Sequence, residues 1–174
     1  MADNSLLIIL GNQLFPLSEI KRTKTKKIFM KEDLGLCTNY KHHKLKILFF
    51  LSAMRQYKDL LQSNGYEVIY HAIDEVVFEE NYLKVLKKEI KDKEISKLTY
   101  FEIEDKSFEE KFKDLETSQI ELIEHQNPMF LFSRKEFHEF HEGKKVFRMA
   151  SFYKYARKKL NILIDKQDNP LGEK

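Results

Sequence analysis

Apolar residues fall along this chain in short unbroken runs separated by amphipathic stretches. "LLIIL" at residues 6–10 is five apolar positions in a row, halted by Gly11. That length and continuity describe a strand buried on both faces, Leu6–Leu10. Similar runs predict strands at Lys27–Met30, Tyr66–Ala72, Lys97–Glu102 and Gln119–Glu124. Between the second and third lies Lys41–Ser63, with "LKILFFLSAM" at its centre. Its apolar positions cover nearly the whole helical circumference, which predicts a helix buried on most sides. Asn64-Gly65 closes it, glycine supplying a left-handed cap. Further helices are predicted over Asn81–Lys91 and Ser107–Leu115, the latter opened by a Ser107/Glu110 capping box.

Strand and helix patterns in strict alternation predict an α/β fold. The expected architecture is a five-stranded, mostly parallel, doubly wound (Rossmann-like) sheet with the first strand central. From Pro128 the pattern changes. Two helices follow, Ser133–Glu142 and Val146–Asn161, with Gly143 between them. The expected division is an α/β domain over 1–128 and a helical extension over 129–174. Phe147, Phe152, Tyr155 and Leu160 are many apolar residues for a closing segment. They are expected to pack on another surface, either the rest of a longer protein or a second copy joined through these helices.

Totals narrow the class. The chain has 174 residues, 42% hydrophobic and 34% charged, enough for a domain with a full core. A net charge of +3 is too small to argue for nucleic acid by itself. The one cysteine, Cys37, excludes an internal disulfide and fits a reducing cytoplasm. No apolar run approaches the roughly 20 residues of a membrane span, so no membrane association is expected.

The candidate chemistry gathers where the first strand ends. Gly11-Asn12-Gln13-Leu14 sets a glycine and two amides at the carboxyl end of a buried strand, where open α/β sheets bind ligands. Glycine admits a flat ligand close to the backbone, and amides read hydrogen-bonding edges without requiring charge. An ordinary turn with Asn12 as a helix cap is the competing reading. Lys31, Glu32 and Asp33 follow the second strand, where carboxylates accept from ligand N–H or ribityl hydroxyl groups, hold a divalent ion, or simply face solvent. Lys41, His42, His43 and Lys44 place positive charge at a helix start, which the macrodipole disfavours. That cost calls for an acidic partner, with Glu32 and Asp33 the nearest candidates. His138 and His141 in "EFHEFHE" share their spacing with Phe137 and Phe140, so a helix with an apolar stripe explains them better than a metal site. "KKVFRMASFYKYARKK" mixes cations with aromatics. An amphipathic helix lying in an interface accounts for it better than nucleic-acid binding. No nucleophile–base–orienter trio is legible.

Taken together and in order, "LGNQLF", "KHHKLKILFFLSAMRQY", "GYEVIYHAID", "FLFSRKEFHEF", "KKVFRMASFYKYARKKLNILID" and "NPLGEK" resemble the photolyase/cryptochrome superfamily. The likeness is to its prokaryotic deoxyribodipyrimidine photolyase-related branch. It covers essentially the whole chain but only the amino-terminal part of that family. The resemblance implies an antenna domain, typically holding a ribityl-lumazine. FAD, an iron–sulfur cluster and damaged DNA would then belong to a carboxyl-terminal helical domain outside this chain. Carried over position by position, Gly11, Asn12, Gln13 and Leu14 match the family's Gly-Asp-Gln-Leu turn, with Asn12 in place of aspartate. Glu32 sits near the family's acidic position after the second strand, and Phe50 faces the cleft from the long helix. The longer protein would be a light-driven lyase acting on DNA pyrimidine photoproducts, or a photoreceptor. This chain alone is expected to carry no repair chemistry and no metal. The alternative is a free-standing α/β module that binds a nucleotide-like or flavin-like ligand, or a protein.

Overall fold

The computed structural model describes residues 4–38 and 40–171. The last three residues of "NPLGEK" lie outside the described part. The strands are β1 (Ser5–Ile8), β2 (Lys27–Lys31), β3 (Glu67–His71), β4 (Lys97–Phe101) and β5 (Glu121–His125). They form one sheet in the order β3-β2-β1-β4-β5, and every neighbouring pair is parallel. The first strand is central, as the alternation predicts. Side chains of β1 and the residue after it alternate between two cores. Leu6 and Ile8 join one cluster, Leu7 and Ile9 the other. Period-two geometry sends neighbours to opposite faces, so a strand covered on both sides reads as an unbroken apolar run.

The helices are α1 (Leu17–Arg22), α2 (Leu34–Thr38), α3 (Lys44–Ser63), α4 (Tyr82–Asp92), α5 (Lys106–Lys113), α6 (Arg134–His141) and α7 (Met149–Leu160). Ile20 of α1 and Leu51, Met54, Tyr57 and Leu61 of α3 pack on one face of the sheet. Val85, Leu86 and Ile90 of α4 and Phe112 of α5 pack on the other. Two helices per face make the sheet doubly wound. The short α1 and α2 escape a sequence reading because one or two turns hold too few apolar positions to show a period.

Two helical expectations are corrected. α3 buries one stripe only; Ile47 and Phe50 are half-buried, and Leu45, Leu48, Phe49 and Leu60 are exposed, Phe49 by 76%. The sheet covers one side of α3, and the exposed residues lie off the stripe that faces it. α5 is capped by Asp105, whose carboxylate accepts from the Phe108 amide at 3.1 Å, not by Ser107. Asp105 has the extended backbone that an N-cap requires, whereas Ser107 is already helical. A true capping box occurs at Ser133 and Glu136 instead.

The chain divides into two compact units, one ending at Met129 and one beginning at Phe130. The second unit has its own aromatic centre. Phe152 of α7 lies 5.1 to 5.3 Å, centroid to centroid, from Phe132, Phe137 and Phe140, and Phe137 in turn meets Phe147 at 5.2 Å. Tyr155 stacks on Phe140 at 4.8 Å. Within the second unit these rings thus supply one another part of the apolar surface they call for, and Phe147, Phe152 and Tyr155 stay half-buried. Lys159 of α7 reaches Glu136 of α6 at 2.8 Å. With the Ser133 amide and hydroxyl, it holds the Glu136 carboxyl down at about 2.

Candidate functional site

A cavity of about 360 Å³ opens at the carboxyl ends of the strands. It sits where the chain order reverses between β1 and β4, the usual ligand position in open α/β sheets. Leu10, Ile47, Phe50, Ile103 and Phe108 give it apolar walls, and Asn12, His42, Lys46 and Asp105 add polar groups. Its volume lies within the roughly 300–1,000 Å³ of small-molecule sites.

Of the sequence candidates, Gly11, Asn12, Lys31, Asp33, His42 and Phe50 line this cavity, while Gln13, Leu14 and Glu32 do not. Leu10 to Gln13 form a tight turn closed by the Gln13 amide on the Leu10 carbonyl at 2.8 Å. Gly11 serves contact with α3 there. A Cβ at Gly11 would stand 2.6 Å from the Phe50 ring and 2.9 Å from the Met54 sulfur. Gly11→Val is accordingly expected to destabilise the protein by about 1–3 kcal/mol through overpacking, read as a shifted urea midpoint. An unchanged midpoint would mean that the Phe50 ring swings aside freely.

Gln13 is buried and ties loops together. Its Nε2 donates to the Glu102 carbonyl at 3.0 Å, and the Asn127 side-chain amide donates to the same oxygen at 3.2 Å. The Asn127 backbone amide donates to the Glu102 carboxylate at 3.1 Å. The segments following β1, β4 and β5 are thus joined at the end of the sheet that carries the cavity. Asn127 and Glu102 went unnoticed in the sequence, because an Asn before a Pro reads as a plain turn.

Glu32 is fully buried, and both its oxygens are engaged. Arg55 grips them from α3 in a bidentate pair at 2.6 and 2.9 Å. The Tyr70 hydroxyl donates at 2.6 Å and the Ile73 amide at 2.7 Å. Burial pushes the Glu32 carboxyl upward, but the bonds from Arg55, Tyr70 and Ile73 together outweigh it and hold the group below the ordinary carboxylate value. Glu32 is a clamp between α3 and the β2–β3 edge. The cationic run before α3 does not partner it. His43 instead caps α3, its Nδ1 accepting from the Leu45 amide at 3.2 Å. Arg55 had a legible signal: a cation four residues past the buried Leu51 and next to the buried Met54.

Lys31 is buried beside the cavity, with its ammonium donating to the carbonyls of Glu32 and Phe78 and to the Asp33 carboxylate at 3.0 Å. Three acceptors use all three protons. Asp33 also accepts from the Gly35 amide at 3.0 Å. Burial, then the charges of Asp33 and Glu32, push the Cys37 thiol upward, which keeps it protonated and unreactive. Among the described residues, no group of three His, Cys, Asp or Glu side chains is placed to hold a metal ion. No described helix is long and apolar enough to cross a membrane.

Comparison with known proteins gives this site a family. The family model described as deoxyribodipyrimidine photo-lyase-related protein matches residues 7–174. The chain belongs to that family. It is also 29% identical over 175 residues to a (6-4) photolyase of Agrobacterium fabrum (strain C58 / ATCC 33970). That match takes in 97% of this chain but 34% of the relative, so this photolyase-related chain spans about a third of the relative's length.

Proposed function

We propose that this photolyase-related chain is the light-collecting α/β domain of a cytoplasmic flavoprotein that repairs DNA photoproducts or signals as a cryptochrome. The observation that carries the reading is the strand-end cavity, apolar-walled and polar-rimmed, in a member of this family. Its size and apolar walls suit a heteroaromatic pigment, for which a ribityl-lumazine is the leading candidate. Such a pigment supplies absorption of light and transfer of the excitation. The residues of this chain bind it, orient it and keep water from it. FAD, the iron–sulfur cluster and damaged DNA are assigned to a carboxyl-terminal helical domain, the partner to which the excitation would pass.

The test is fluorescence titration of the chain with 6,7-dimethyl-8-ribityllumazine and, separately, with flavin mononucleotide. Ile47→Trp fills the cavity from the half-buried side of α3, so it is expected to abolish binding with the fold retained. Equal binding by wild type and Ile47→Trp would remove the cavity from consideration. Stoichiometric FAD in the purified chain would overturn the assignment of flavin to another domain.

A further inference from the structure

Lys41, His42, Lys44 and Lys46 crowd around the start of α3, whose first turn holds no acidic residue. The macrodipole opposes cations at that end of a helix, so the run calls for an anion. The chain does not supply one. Glu32 is taken by Arg55 and Asp33 by Lys31. Among the described residues, no carboxylate lies in ion-pair reach of Lys41, His42, Lys44 or Lys46. Two of the four, half-buried His42 and exposed Lys46, line the strand-end cavity. Lys46 comes one helical turn before Phe50, whose ring stands beside Gly11 at the strand end. The cationic part of the wall is thus displaced from the strand end toward the start of α3. The acidic wall residue Asp105 belongs to the opposite face of the sheet, where its carboxylate caps α5.

We propose that the pigment ends in a phosphate group, and that Lys46 and His42 bind this phosphate at the α3 side of the cavity. The inference rests on the reading of the cavity as a pigment site and narrows its ligand class. The ligand is a flat heterocycle with a phosphorylated side chain, as in flavin mononucleotide or a phosphorylated ribityl-lumazine. The apolar walls take the ring, and the tail runs along α3 to its first turn. A phosphate monoester brings about 1.5 to 2 negative charges and three acceptor oxygens at neutral pH. It can accept from the Lys46 ammonium and a His42 ring N–H together, and the macrodipole favours it where it disfavours the lysines. A ribityl chain ending in an uncharged hydroxyl would leave the basic run as uncompensated as it is without ligand.

Flavin mononucleotide and riboflavin share one ring and one ribityl chain and differ by the phosphate alone. Titrating the whole chain with each, read by flavin fluorescence, tests the assignment. At low salt, flavin mononucleotide is expected to bind about tenfold tighter, a modest gain for a charge-assisted contact because Lys46 is exposed. Added salt should narrow that preference. Lys46→Ala should bring the two affinities together, and Lys46→Arg should separate them again. Lys44→Ala removes a lysine outside the cavity wall and should keep the preference, which distinguishes a local contact from the general attraction of a basic segment. Ligand-free Lys46→Ala should melt no lower than wild type, since a cation opposed by the macrodipole has been removed. Flavin mononucleotide binding no tighter than riboflavin, or a preference that survives Lys46→Ala, would overturn the phosphate assignment. So would a lower melting temperature of the ligand-free variant, because the ammonium would then have a partner within the fold. If Ile47→Trp abolishes binding while wild type binds both flavins alike, the phosphate assignment falls and the pigment cavity stands. If wild type and Ile47→Trp bind both flavins alike, the two readings fall together.

Discussion

Arg55→Ala is expected to lower the free energy of unfolding by about 3 kcal/mol at neutral pH, the low end of what breaking a buried ion pair costs. Glu32 has no exposed side-chain surface, whereas Arg55 is 46% exposed. Removing the guanidinium leaves a buried carboxylate whose remaining donors, Tyr70 and the Ile73 amide, are neutral. Water reaching the space vacated by Arg55 limits the loss, which is why the low end applies. Urea unfolding at pH 7 reads the effect directly.

The pH dependence follows from the depressed Glu32 carboxyl. A group whose folded value lies below its unfolded one adds stability above the ordinary carboxylate value of 4.5. That stability is lost as pH falls through the lower folded value. In Arg55→Ala the chief opposing contact is gone and burial remains, so Glu32 should take up a proton at higher pH than in wild type. The stability gap between the two proteins is therefore expected to narrow on acidification. A gap that is the same at pH 7 and about pH 4 would show that Glu32 carries no charge in the fold.

Phe152→Ala is expected to loosen the second unit by about 3 kcal/mol, because the ring meets Phe132, Phe137 and Phe140 at once. The readout is limited trypsin digestion at Arg157, Lys158 and Lys159 on α7. Where cleavage follows the opened population, the rate should rise about a hundredfold. The first unit, with its own cores, should keep its urea midpoint. An unchanged cleavage rate would mean that Phe152 contributes nothing to joining α6 and α7.

The α/β class, the parallel sheet and the central position of β1 were legible because each rests on a local pattern. "LLIIL" is apolar at every step because both faces of β1 are covered, and that requirement is visible without knowing what covers them. The turn at Gly11-Asn12-Gln13-Leu14 was likewise legible as the end of a buried strand. The use made of each residue there was not. Gly11 makes room for Phe50 and Met54, from more than thirty positions along the chain, and Gln13 reaches the carbonyl of Glu102. Glu32 stood out as an acidic residue after a strand, but only folding brings Arg55 and Tyr70 to it and turns a candidate ligand group into a clamp. The same holds for α3, where sequence shows an apolar circumference and only the placement of the sheet decides which stripe is buried. Periodicity reports how many faces an element must bury, because that demand repeats along the chain. Which side chains meet at the strand ends depends on contacts between distant segments, and those exist only once the sheet has assembled.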